Sequence, residues 1–164
     1  MASVRLEIEP SDATVIYQIA DTVVDEIYFA SGAFGTEDND REPVPAEDGF
    51  ADEAFSVLGL LTEFKHPSIV HHLVQTLGHL SPADPRRAFV LVERSISAGD
   101  AYTYDTLAAD TTIALITRYL AEYRDVVTTD PDLLTAVRRV LDAFVQVGWP
   151  AAISLSYRLG DAFR

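Results

Sequence analysis

The sequence predicts an all-α fold of six or seven helices, packed as stacked antiparallel hairpins or as a compact helical bundle. Three observations carry this. A Pro stands where a helix should begin in His66-Pro67, Asp84-Pro85, Asp130-Pro131 and Trp149-Pro150. Pro suits the first helical position because its missing N–H has no helical partner to lose. Apolar residues after each Pro recur at helical spacing, and the connections are short, which sets neighbouring helices antiparallel.

The first helix follows a Ser11-Asp12 cap. Val15, Ile16, Ile19, Ala20, Val23, Val24, Ile27 and Tyr28 form its apolar face, Asp21, Asp25 and Glu26 lie on the other, and it ends near Ser31-Gly32. Residues 32–49 combine Gly, Pro and acid and read as an acidic flexible loop. Phe50 to Phe64 is apolar around much of its circumference, so this second helix is expected to be largely buried. The third runs from Pro67 to about Leu80, and the fourth from Pro85 to a stop at Gly99. A fifth, longer helix spans 103–123. The sixth runs from an Asp130 cap to Gly148, and the seventh starts at Pro150, with Ile153 and Tyr157 on its inner face. The expected organisation is an N-terminal extended segment and first helix (1–31), the acidic loop (32–49) and a helical-hairpin domain (50–164), forming one compact domain.

Pro67 and Pro85 open one helix–turn–helix pair, and Pro131 and Pro150 open another, with the long fifth helix between. The spacing is unequal, so it is no strict solenoid period. It is compatible with degenerate hairpins of the HEAT or armadillo type, in which stacked units build the core.

The net charge of −14 is unevenly placed. Residues 1–53 hold 14 Asp and Glu against Arg5 and Arg41 alone, while residues 54–164 hold 12 against 10 Lys and Arg. An acidic surface repels nucleic acid and anionic lipid, which leaves solubility or a basic protein partner. The absence of cysteine removes disulfides, thiol nucleophiles and thiolate zinc sites and suits a cytoplasmic protein. No apolar run approaches a membrane span, and Met1 to Pro10 lacks the apolar core of a signal peptide.

No motif names a chemistry. His66, His71, His72 and His79 fall in one segment, but the i, i+4 pair of H-E-x-x-H is absent: Gln75 follows His71 by four and Thr76 follows His72 by four. An EF-hand starting at Asp38 would need Gly and Glu where Pro43 and Gly49 stand. Phosphate-binding glycine loops and nucleophile elbows are also missing. The expectation is therefore no enzyme, no cofactor and no metal. A helical metal enzyme built on His71, His72 and His79 remains as an alternative.

The residues singled out for partner binding are Tyr102 and Tyr104, before the fifth helix, and the pairs Arg86-Arg87 and Arg138-Arg139. Tyr offers contact area with a polar tip. The arginines either form one basic patch or pair with the N-terminal acids.

Ala101 to Ala108, Leu141 to Pro150 with its Gly-Trp-Pro turn, and Tyr157-Arg158-Leu159 resemble the helical, HEAT-like C-terminal region of large bacterial proteins that carry an ATPase, several of them associated with defence against phage. The resemblance covers about residues 66–164. No ATPase segment stands in these 164 residues, so the resemblance implies an interaction module and imports no activity. The expected function is a noncatalytic protein-binding or assembly module, a small subunit of a bacterial multiprotein system that binds a protein or itself. A second alternative is an acidic inhibitor that mimics nucleic acid and occupies a basic protein surface.

Overall fold

A computed structural model of the chain describes residues 10–32, 49–97 and 106–162. Among these are eight helices and no strand: α1 (Pro10–Ala30), α2 (Phe50–Leu61), α3 (Pro67–Leu80), α4 (Pro85–Ser97), α5 (Thr106–Glu122), α6 (Arg124–Thr129), α7 (Pro131–Gln146) and α8 (Pro150–Ala162). The expected all-α class is what is found. The count exceeds the expected six or seven because residues 124–129, read as a connection, form the short helix α6.

Five of the eight helices start on Pro, Pro10 included. At two of them the preceding Asp satisfies backbone donors that the first turn leaves without partners. Asp130 accepts from the Asp132 and Leu133 N–H groups at 3.0 and 3.1 Å. Asp84 accepts from the Arg87 N–H at 2.9 Å. Helix α7 ends where Gly148 takes a positive φ of 82° and the Trp149 N–H returns to the Phe144 carbonyl.

Cross-helix contacts fix the directions. Asp21 meets Ser68 and Asp25 meets His72, so α1 and α3 run parallel. Arg118 near the end of α5 donates to the Gly78 carbonyl at the end of α3, and Trp149 at the start of α8 donates to Asp110 at the start of α5. One layer is therefore α1, α3, α5, α8, all pointing the same way. Asp52–Arg87 and Glu63–Arg94 register α2 with α4, and Arg86–Asp130 and Glu93–Arg139 register α4 with α7. These three make the second layer, antiparallel to the first. Packing of α3 on α4 and of α7 on α8 joins the layers, and α6 connects α5 to α7. The helices are stacked hairpins with one core between two layers.

Helix α3 is the hub and packs against α1, α2, α4 and α5. That is why Leu73, Val74 and Leu77 are wholly buried. Each such side chain contributes roughly 1.5–3 kcal/mol of transfer free energy. Phe55, Phe89, Ile116, Tyr119, Leu133, Leu141 and Phe144 continue the core.

Three helices depart from their expected faces. In α1 only Ala20, Val24 and Tyr28 of the apolar set are buried, while Val15, Ile16 and Ile19 are exposed. Counting 100° per residue, α1 is turned by roughly 65° from its own apolar direction. The acids read as its solvent face explain the turn: Asp21 accepts from the Ser68 hydroxyl and Asp25 meets the His72 ring, so both face α3. In α2, Val57 and Leu60 are exposed where burial was expected. In α8 the buried residues are Ala152, Leu155 and Leu159, and Tyr157 points to solvent.

Candidate interaction surface

The arginines singled out by the sequence lie along the second layer, and three of them sit on seams between helices. Arg86, at the start of α4, places Nε 2.6 Å from Oδ2 of Asp130, the residue that caps α7. The Leu133 N–H and then the Arg86 guanidinium hold the Asp130 carboxyl below the usual carboxylate range, and Asp130 raises Arg86 in return. Arg87 points to α2: Nη1 is 2.9 Å from Asp52, Nη2 donates to Ser56 at 3.1 Å, and the guanidinium lies 5.1 Å from the centre of the Phe55 ring. Arg139 on α7 reaches Glu93 on α4 at 3.1 Å. Arg87 thus meets an acid of the N-terminal third, whereas Arg86 and Arg139 meet acids of the helices beside them. Arg138 is exposed on α7. Tyr102 and Tyr104 lie outside the described residues, as do residues 33–48 of the acidic loop.

The histidines line the seam between α1 and α3. His66 lies beside Tyr17, with ring centres 6.2 Å apart. His72 stacks on Tyr28 at 5.3 Å with the rings 13° from parallel, and its Nδ1 meets Asp25. His79 bonds to the Ser31 backbone. Burial holds its imidazole below the ordinary range, the bond to Ser31 opposes this, and the nearby Arg118 charge adds to the lowering. Among the described residues no group of three or more His, Asp or Glu side chains is placed to hold a metal ion. These rings pack α1 onto α3.

A different set of residues stands out once the layers are known. Large apolar side chains are exposed on the outermost helices: Val15 (52%), Ile19 (58%) and Phe29 (55%) on α1, Leu60 (73%) on α2 and Tyr157 (76%) on α8. Leu107, at the start of α5, is also exposed. Periodicity assigned Val15, Ile19, Leu107 and Tyr157 to inner faces, because a period shows which residues share a face and not which face is covered. One signal was present in the sequence: the apolar arc of α1 is wider than one neighbouring helix can cover.

Compared with known proteins, the chain matches no protein-family model, no curated protein and no solved structure. Among the described residues, no helix is long and apolar enough to cross a membrane.

Proposed function

We propose that this protein is a noncatalytic binding and assembly module that works through its outer helical faces in the cytoplasm, as a small subunit of a bacterial multiprotein system. The observation that carries the reading is the concentration of exposed large apolar side chains on α1, α2 and α8, the helices at the ends of the two layers. Helical stacks that stand alone cover their ends with polar faces. Exposed apolar surface rimmed by polar residues marks interaction sites. The parallel order of α1, α3, α5 and α8 is compatible with the stacked HEAT-type hairpins that the resemblance over residues 66–164 implies. That resemblance is the source of the defence-system expectation.

The arginine seams lend less support to binding through Arg86, Arg87 and Arg139, since each already has a carboxylate partner. An acidic mimic of nucleic acid would present rows of free carboxylates. Asp21, Asp25, Asp52, Glu63, Glu93 and Asp130 instead meet partners within the fold.

Affinity purification of the tagged chain from cells that encode it, with quantitative mass spectrometry, tests the proposal. One protein, or a second copy of the chain, is expected at a fixed ratio. A chain that elutes as a monomer with only background proteins counts against it.

A further inference from the structure

The outward face of α1 combines three properties that together specify a partner. The first is geometry. Val15, Ile19, Thr22, Glu26 and Phe29 follow one another at intervals of four, three, four and three, so they form one stripe about 21 Å long. All five are exposed. A shallow hollow of about 240 Å³ lies along its first half, lined by Val15, Gln18, Ile19, Thr22 and Val23.

The second property is that the exposure is built in. Contacts from Asp21 to Ser68 and from Asp25 to His72, with Tyr28 stacked on His72, hold α1 in the orientation that turns Val15 and Ile19 outward. Turning them inward would break the hydrogen bond from Ser68 to Asp21 and the Tyr28–His72 stack. The stripe is therefore a consequence of how α1 docks.

The third property is charge. Helix α1 contains Asp12, Asp21, Asp25 and Glu26 and no Lys or Arg. Glu26 lies on the stripe itself, and among the described residues it makes no ion pair. A second copy docking face to face would bring a second Glu26 and a second chain of net charge −14, and like charges oppose that pairing. An anionic lipid surface is opposed for the same reason.

We infer that the outward face of α1 docks an amphipathic helix of a partner protein, one with an apolar seam and basic flanks. The seam packs along Val15, Ile19 and Phe29 helix against helix, with side chains four and three apart forming the contact. The flanking Lys or Arg side chains lay their stems on the apolar edge and bring their charges to Glu26. This rests on the proposed role as a binding module and adds the surface and the chemistry of the partner.

The test uses a labelled synthetic helix of leucine and lysine, about 20 residues long to match α1, and a scrambled peptide of the same composition without a seam. The scrambled peptide measures the attraction that any cation feels for a chain of charge −14. The seamed helix is expected to bind at least about tenfold tighter than the scrambled one. The double variant Val15→Ser, Ile19→Ser should remove that difference while leaving the melting temperature within about 4 °C, because both side chains are more than half exposed. Glu26→Lys should weaken binding of the seamed helix without touching the apolar contacts. Equal affinity for the two peptides overturns the inference. So does an unchanged difference in the double variant, or a concentration-dependent dimer in sedimentation equilibrium that Ile19→Ser abolishes, which would make the occupant a second copy. If a copurifying partner binds the double variant as well as the parent, this inference fails and the binding-module reading stands. If nothing copurifies with the chain, that reading fails with it.

Discussion

Tyr119 shows how much a single side chain joins in this fold. Its ring lies between Phe89, at 4.9 Å, and Tyr123, at 5.0 Å, and its hydroxyl donates to the Pro85 carbonyl at 2.8 Å, tying α5 to the first residue of α4. Burial pushes its phenol far above the ordinary range, so it stays a donor at any accessible pH. Tyr119→Phe keeps the ring and loses the bond, and urea denaturation should show a loss of about 1 kcal/mol. The folded pKa of His79 is lowered, mainly by burial, so the unfolded chain binds the proton more readily. Its contribution is complete above the ordinary imidazole range and is lost as pH falls through that range toward the lowered value. The stability of the parent relative to His79→Gln should therefore decrease between pH 7.5 and pH 5.5, as measured by paired urea titrations. A flat difference would show that the ring carries no such burden.

At the scale of elements, the close approach of α3 and α5 depends on Gly78. A Cβ built there would stand 3.3 Å from Cδ1 of Leu115, tight but against the movable end of a side chain. Gly78→Ala gains up to about 1 kcal/mol of helix propensity and loses a comparable amount in crowding, so its stability should lie near the parent's. Gly78→Val has no such compensation and should cost about 1–3 kcal/mol by pushing the helices apart, as read from the denaturation midpoint. The Asp-Pro starts of α4 and α7 were legible in the sequence because a cap and the proline it precedes are adjacent in the chain. The hydrogen bonds from Asp84 and Asp130 follow from that adjacency. Helix α6 was not legible: Arg124 to Thr129 is too short to display a period, and its only buried side chain is Val127.

For the molecule as a whole, the layer order sets a gradient of stability. Helix α3 packs against α1, α2, α4 and α5 and buries Ile69, Val70, Leu73, Val74 and Leu77, whereas the first half of α1, residues 14–19, is exposed throughout. Local opening is cheapest where buried contacts are fewest. Native-state hydrogen exchange should therefore find the slowest amides in α3 and much faster exchange in the first half of α1. Uniform protection across the two would contradict the hub arrangement. The same gradient bears on the proposed docking, since Val15 and Ile19 lie in the loosely held first half of α1.

The all-helical class, the Pro-started helices and the hairpin pairs could be read from the sequence because capping, helix propensity and apolar period act over a few residues of contiguous chain. The excess of acid in the first third was equally visible. Which face of each helix is covered was settled only in three dimensions. Asp21 and Asp25 look like solvent residues until Ser68 and His72 stand opposite them. Val15, Ile19 and Tyr157 look like core residues until it is clear that α1 and α8 end a layer. A helix's own sequence sets the width of its apolar arc. How much of that arc is buried depends on the number and direction of its neighbours, and those are set by contacts between residues some tens of positions apart.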